Sequence, residues 1–176
     1  MPSFKNKVWD GKIRLFNPLN CKLYMGLIPQ VKYFCEKNNY EIVYDEDIRD
    51  RQFTTDDLMA LAKHINPHSQ GKKIDYRDYQ LDAIYHAIKT NRTLLISPTA
   101  SGKSLMIYTL IRFYNMHPEV KDKKILIIVP TVSLVQQMYG DFKDYGWNVE
   151  KYCHKISAGA DKHTDKKVVI STWQSI

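Results

Sequence analysis

Apolar and polar positions follow two different rhythms along this chain, and the change comes near residue 73. Before it the pattern is short and broken. Lys12-Ile13-Arg14-Leu15-Phe16 alternates basic with apolar, as a half-exposed strand does. Asn17-Pro18-Leu19-Asn20 forms a turn and Lys22-Leu23-Tyr24-Met25 returns, which predicts a hairpin. Pro29 opens a helix with Val31, Phe34 and Cys35 on one side; Asn38-Asn39 ends it, and residues 40–44 read as a third strand. A helix over 54–63 follows, then a loop through Pro67, Ser69 and Gly71.

From Tyr76 onward, helical periodicity alternates with short apolar runs. Residues 77–89 predict a helix with Leu81, Ile84 and Ile88 inward, 93–96 a strand, and 103–116 a second helix. Residues 125–129 form a continuous apolar strand of the kind buried on both faces of a parallel sheet. Residues 131–142 read as helix, with further strands over 149–153 and 168–171. Repeated strand–helix units predict an α/β fold with a parallel sheet. The expected organisation is a small α+β domain over residues 1–50, a helix-bearing linker over 51–73, and a parallel-sheet lobe over 74–176.

Composition narrows the class. The chain has 176 residues, 44% of them hydrophobic, enough for a packed core rather than general disorder. Its net charge of +7 favours a polyanionic partner. Residues 1–30 hold Lys5, Lys7, Lys12, Arg14 and Lys22 against Asp10 alone, whereas Asp45, Glu46, Asp47, Asp50, Asp56 and Asp57 make the next stretch acidic. The three cysteines, Cys21, Cys35 and Cys153, lack C-x-x-C spacing and leave one unpaired in any disulfide scheme, which points to a reducing compartment. Cys153-His154 has no further ligands nearby in sequence, so a zinc site there is not expected. No signal peptide or membrane-length apolar run is present, and no membrane partner is expected.

The chemistry concentrates at Ser97-Pro98-Thr99-Ala100-Ser101-Gly102-Lys103-Ser104, between a predicted strand and a predicted helix. A bound triphosphate needs backbone N–H groups converging on its oxygens, a lysine near the β and γ phosphates, and a hydroxyl for Mg²⁺. Gly102, Lys103 and Ser104 supply the end of that pattern, while Ser97 stands where the pattern's first glycine belongs. The expected cofactors are therefore ATP and Mg²⁺, with phosphate at the carboxyl edge of the sheet.

Three further motifs frame this loop. Tyr76-Arg77-Asp78-Tyr79-Gln80 resembles the glutamine motif of superfamily 2 helicases, Val129-Pro130-Thr131 through Gln137 resembles their Pro-Thr-x-x-Leu-x-x-Gln element, and Thr172-Trp173-Gln174-Ser175 resembles their Thr-x-x-Ser element. Together they make the second part of the chain similar to the first part of a RecA-like motor lobe of a superfamily 2 DNA helicase. The resemblance implies that Gln80 selects adenine with Tyr76 or Arg77 beside the base. It implies that Lys103 and Ser104 serve the phosphates and Mg²⁺, and that Pro130, Thr131 and Thr172 hold a nucleic-acid backbone. Trp9 to Leu15, Gly26 to Ile28 and Val31 to Cys35 resemble the small DNA-binding domain of T4-type phage helicases of recombination and stalled forks. That likeness implies duplex contacts by Lys5, Lys7, Lys12, Arg14 and Lys22, a branched or forked DNA partner, a monomer, and residence in the host cytoplasm.

The family's acidic Mg²⁺-holding motif is expected after Ile176, as is a second motor lobe with its arginine finger. Asp141, Asp144, Asp161 and Asp165 do not follow apolar strands in the required way, so this chain alone is not expected to hydrolyse ATP. Two rival readings stay open: a nucleic-acid-binding module with a vestigial nucleotide site, and a P-loop small-molecule kinase.

Overall fold

The computed structural model describes residues 5, 10–44, 51–90, 92–118, 123–156 and 163–176. Two compact units divide the chain, Met1–Arg49 and Asp50–Ile176.

In the first unit, β1 (Phe16–Asn17) and β2 (Lys22–Leu23) pair antiparallel, Phe16 opposite Leu23. This hairpin is shorter than its alternating sequence predicts. Asn17 and Asn20 accept backbone N–H bonds from Leu19 and Lys22 at 3.0 and 3.1 Å, which draws the chain into the turn early. A 3₁₀ turn, Met25–Leu27, leads into α1 (Ile28–Lys37), with Pro29 in its first turn. The Asn38 amide closes α1 by donating to the Phe34 carbonyl at 2.7 Å. Residues 40–44 form no strand ladder among the described residues; instead Tyr40 stacks on Phe34, centroids 6.1 Å apart. None of residues 10–44 is buried, as a unit this small encloses little volume.

The second unit starts earlier than the sequence pattern places it. α2 (Thr55–Ile65) opens on a capping box: Thr54 Oγ1 accepts from the Asp57 N–H at 3.2 Å, and Asp57 accepts from the Thr54 N–H at 2.9 Å. The Thr54 N–H and, at 2.7 Å, the Thr54 hydroxyl both donate to the Asp57 carboxylate and lower its pKa from the ordinary value. Leu58, Leu61 and Ile65 turn inward to the core, so the segment expected as a linker is packed into this unit. A two-residue hairpin follows, β3 (His68–Ser69) against β4 (Lys72–Lys73). Its turn residues Gln70 and Gly71 have φ of 51° and 76°, the left-handed pair that matches strand twist. Asp144 fastens it, accepting from Ser69 Oγ at 2.7 Å and the Gln70 N–H at 3.0 Å.

The remaining elements are α3 (Asp78–Thr90), α4 (Lys103–Met116), β5 (Ile125–Val129), α5 (Val132–Asp144), α6 (Val149–Tyr152), β6 (Cys153–Ile156) and β7 (Val168–Thr172). The strands form a parallel sheet in the order β5-β7-β6, with Val129 level with Thr172 and Ile156 with Ser171. β7 is buried along its whole length, and Ile84, Ile88, Tyr108, Val135, Phe142 and Ile170 close the core. Tyr108 sits at its aromatic centre, its ring 5.3 to 5.9 Å from those of Tyr145, Phe142 and Trp147.

Three expectations need correction. Residues 149–152 are helical, because the Asn148 side chain caps them by accepting from the Lys151 N–H at 3.1 Å; the strand begins only at Cys153. Residues 93–96 have no ladder partner among the described residues, and Leu94 and Ile96 are exposed. β5 is not buried on both faces: Leu126 and Ile128 are more than half exposed, since β5 is an edge strand of the described sheet. No helix among the described residues is long and apolar enough to cross a membrane, and no cluster of three metal-ligating side chains occurs among them.

Burial separates these strands energetically. Ile170→Ala is expected to cost about 2–5 kcal/mol and Ile96→Ala no more than about 0.5 kcal/mol. Urea unfolding of both variants checks this, and equal losses would contradict the placement of residues 93–96.

Burial also pushes the Cys153 thiol up from 9.0 to about 12, and the Tyr139 and Tyr145 hydroxyls up to about 12. Between pH 9 and 12 the folded chain therefore holds more protons than the unfolded chain, so stability falls as pH rises through that window. The urea midpoint measured from pH 8 to pH 11 should decline above pH 9; a flat profile would refute the shift.

Candidate functional site

Helix α4 begins where the phosphate loop ends. Gly102, at φ 80°, is its left-handed N-cap, and Ala100 also lies left-handed at φ 64°. The Lys103 ammonium donates to the carbonyls of Pro98 at 2.6 Å and Ser97 at 3.4 Å. Ser101 Oγ donates to the Pro98 carbonyl at 2.8 Å, and the Ser97 and Ser101 hydroxyls share a hydrogen bond. Ser97 thus does what a glycine at that position cannot: it joins the two ends of the loop by side chain. Ser104 is half-buried one residue into the helix.

The glutamine motif meets this loop directly. Gln80, buried in the first turn of α3, accepts the Arg77 N–H at 3.0 Å and donates to the Ser101 carbonyl at 2.9 Å. The Tyr79 hydroxyl donates to the same carbonyl at 3.1 Å and accepts from Arg77 at 3.0 Å. A side chain on Gly102 would run into Gln80 Nε2, so the glycine is required for close approach as well as for its φ.

A cavity of about 520 Å³ opens beside the loop, lined by Arg77, Tyr79, Ala83 and residues 95–101 with Met106. Its size falls within the ordinary range for small-molecule pockets. An apolar wall beside the first five residues of the loop has the character of a small-molecule pocket, whereas Gln80, Gly102, Lys103 and Ser104 are not among the residues that line it. Within this structure Arg77 and Tyr79 face the cavity, while Tyr76 turns away. Its hydroxyl bonds Thr109 at 2.7 Å and burial raises its pKa. Gln80 spends both ends of its amide on the protein. Tyr79 was missed as a site residue, although an aromatic directly before the glutamine was the available signal. No carboxylate among the described residues lines the cavity.

The second group of candidates lies at the carboxyl ends of the strands. Pro130 follows β5, and Thr131 caps α5, its hydroxyl accepting from the Leu134 N–H at 3.3 Å. Thr172 ends β7 only 3% exposed, its hydroxyl bonded to Ser175 Oγ at 2.9 Å. Register places both strand ends at one sheet edge.

In the first unit Lys5, Lys12, Arg14 and Lys22 are all exposed. Arg14 pairs with Asp10 at 2.5 Å, which lowers the Asp10 pKa through that hydrogen bond first. Lys7 and Trp9 lie outside the described residues, as do Asp45, Glu46, Asp47, Asp50 and Asp161.

Known proteins resemble the chain in both sequence and structure. The family described as "Type III restriction enzyme, res subunit" matches residues 73–176, and "DNA helicase UvsW, N-terminal" matches residues 1–45. The ATP-dependent DNA helicase uvsW of Enterobacteria phage T4 is 36% identical over 99% of this chain, which spans 35% of that protein's length. The DEAD-box ATP-dependent RNA helicase CshC of Bacillus cereus is 29% identical over 48% of the chain, which aligns with 21% of the relative's length. Two crystal structures of the phage T4 UvsW helicase superpose with TM-scores of 0.82 and 0.83 at 34% identity. They cover 98% and 99% of this chain and 62% and 35% of their own. The α/β unit is accordingly part of a RecA-like lobe, and a small-molecule kinase is not favoured.

The glycine and the glutamine are expected to act as one unit. Gly102→Ala should cost about 1–2 kcal/mol for its left-handed backbone alone, and more for the clash with Gln80. In a Gln80→Ala background that extra loss should disappear. A double-mutant cycle on thermal stability measures it, and additive losses would refute the contact.

Proposed function

The chain belongs to the family of the type III restriction enzyme res subunit, and from that membership we propose that it is the nucleotide- and DNA-binding first part of an ATP-dependent DNA helicase. The observation that carries this reading is the contact of Gln80 and Tyr79 with the Ser101 carbonyl. It supports the reading because it joins the glutamine motif to the loop beside one cavity.

In this reading Arg77 and Tyr79 flank the adenine, and Gln80 reads its edge once one of its protein bonds is exchanged. Lys103 leaves the Ser97 and Pro98 carbonyls for the β and γ phosphates, and Ser104 ligates Mg²⁺. Bound ATP supplies a phosphoanhydride whose cleavage, in the whole enzyme, drives movement along one strand. Pro130, Thr131 and Thr172 form the edge that grips that strand, and the basic hairpin face with Lys5, Lys7, Lys12, Arg14 and Lys22 takes duplex phosphates. The chain spans 35% of the phage relative's length. A second motor lobe, a branched or forked DNA substrate, action as a monomer and residence in the cytoplasm of a phage's host belong to the same proposal.

The cavity's lining also bears on turnover. With no carboxylate among the described residues that line the cavity, none of them orients an attacking water, so this chain should bind nucleotide without hydrolysing it. Hydrolysis with and without forked DNA, alongside binding of a fluorescent ATP analogue, tests the reading. Binding without turnover, weakened more than about tenfold by Lys103→Ala at unchanged DNA affinity, is the expected result. DNA-stimulated turnover that vanishes in Lys103→Ala would place a catalytic carboxylate within these 176 residues and overturn the inactive state. Absence of nucleotide binding would sink the site itself.

A further inference from the structure

Gln80 is the residue that the helicase resemblance gives to adenine, yet its surroundings give it other work. It is 5% exposed, and both ends of its amide are engaged. Oε1 accepts the Arg77 N–H at 3.0 Å, and Nε2 donates to the Ser101 carbonyl at 2.9 Å. Nε2 also lies against Gly102, the left-handed N-cap of α4, where no side chain fits. The residues lining the cavity of about 520 Å³ beside the loop include Arg77 and Tyr79 but not Gln80.

Reading adenine therefore requires an exchange. Adenine presents an N6 amino donor beside its N7 acceptor, whereas guanine presents two acceptors, O6 and N7. To take the N6 amino group, Gln80 Oε1 must release the Arg77 N–H; to serve an acceptor of the base, Nε2 must release the Ser101 carbonyl. One bond forms for each that breaks, and hydrogen bonds of like kind nearly cancel on exchange.

The groups that do line the cavity show no preference for adenine. The Tyr79 hydroxyl already donates to the Ser101 carbonyl and accepts from Arg77. The Arg77 guanidinium can only donate, which suits N7 of either purine and O6 of guanine. Ala83, Leu95, Ile96 and Met106 offer shape alone.

The bonds of Gln80 act instead on the loop. Ser101 stands between Ala100 and Gly102, both left-handed, and its carbonyl receives Gln80 and Tyr79 together. Fixing that peptide fixes where α4 starts, and with it where Lys103 and Ser104 stand. We infer that Gln80 is a positioning residue for the phosphate side of the site, and that the site takes adenine and guanine nucleoside triphosphates with comparable affinity. This assignment rests on the nucleotide-binding reading above and sets the weight of its adenine contact, which adds little selectivity once the exchange is counted.

The test titrates the whole chain, at fixed Mg²⁺, with ATP, GTP, inorganic tripolyphosphate and adenosine. The unsubstituted chain should bind ATP and GTP within about tenfold of each other, where a base edge read by dedicated bonds separates analogues by about 10⁴-fold. Gln80→Ala should weaken ATP, GTP and tripolyphosphate by one common factor of about 2- to 10-fold and leave adenosine unchanged. Gln80→Glu keeps an acceptor for the Arg77 N–H but turns another toward the Ser101 carbonyl, so it should weaken the same three probes. Loss confined to ATP and adenosine would make Gln80 the base selector and overturn the inference. So would a preference for ATP over GTP beyond that tenfold in the unsubstituted chain. Weakening of all four probes alike would reduce Gln80 to a structural support and overturn it as well. If the unsubstituted chain binds neither ATP nor GTP, the nucleotide site itself falls, and the role of Gln80 falls with it.

Discussion

The phosphate loop is held by one side-chain amide, and much of the site follows from where that amide sits. Gln80 lies buried between the Arg77 N–H and the Ser101 carbonyl, so the start of α3 and the end of the loop are fixed relative to each other. Buried amides are costly unless both ends are paired, and here both are. The same packing forbids a side chain at position 102, which in turn lets the chain take the left-handed turn that starts α4. Glutamine, glycine and helix N-terminus therefore form a single constraint, with Tyr79 reinforcing it through the same carbonyl.

This coupling explains why the site was largely legible in sequence. Gly102-Lys103-Ser104 and Gln80 are short-range signals, each tied to a turn or a helix end. The runs 125–129 and 168–171 read as strands because β-branched apolar residues leave few alternatives. What escaped the sequence depended on distant partners or on capping chemistry. Tyr76 belongs to the core because Thr109 on α4 meets its hydroxyl, a pairing that sequence distance hides. Residues 149–152 carry a β-leaning pattern that a single Asn148 cap overrides, and the 68–73 hairpin depended on Gln70 accepting a left-handed φ. Apolar content likewise said nothing of which side of β5 is covered.

The open places in the second unit share a physical character. Leu94 and Ile96, on a segment with no ladder partner among the described residues, and Leu126 and Ile128, on an edge strand of the described sheet, expose aliphatic side chains. Such surfaces are avoided where a protein can avoid them, because they recruit other strands. Yet the unit's centre is closed: β7 is buried throughout and the Tyr108 cluster is tightly packed. Stability and exposure are thus separated within one domain, with the nucleotide loop following directly on the exposed 93–96 segment.

That separation bears on how the loop changes state. Ser97, standing where the phosphate-loop pattern has glycine, bonds Ser101 across the loop, and the Lys103 ammonium is satisfied by carbonyls of the same loop. A triphosphate must exchange these internal bonds for its own, so affinity reports a difference between two charge-assisted arrangements rather than the strength of either. Under the proposed function the exchange is expected to be favourable, because phosphate oxygens carry full charge where carbonyls carry only partial charge. On one side the loop follows the exposed 93–96 segment, while Gln80 and α4 hold it on the other. In the proposed function the loop, anchored at its helix end, exchanges these internal bonds for phosphate without disturbing the core.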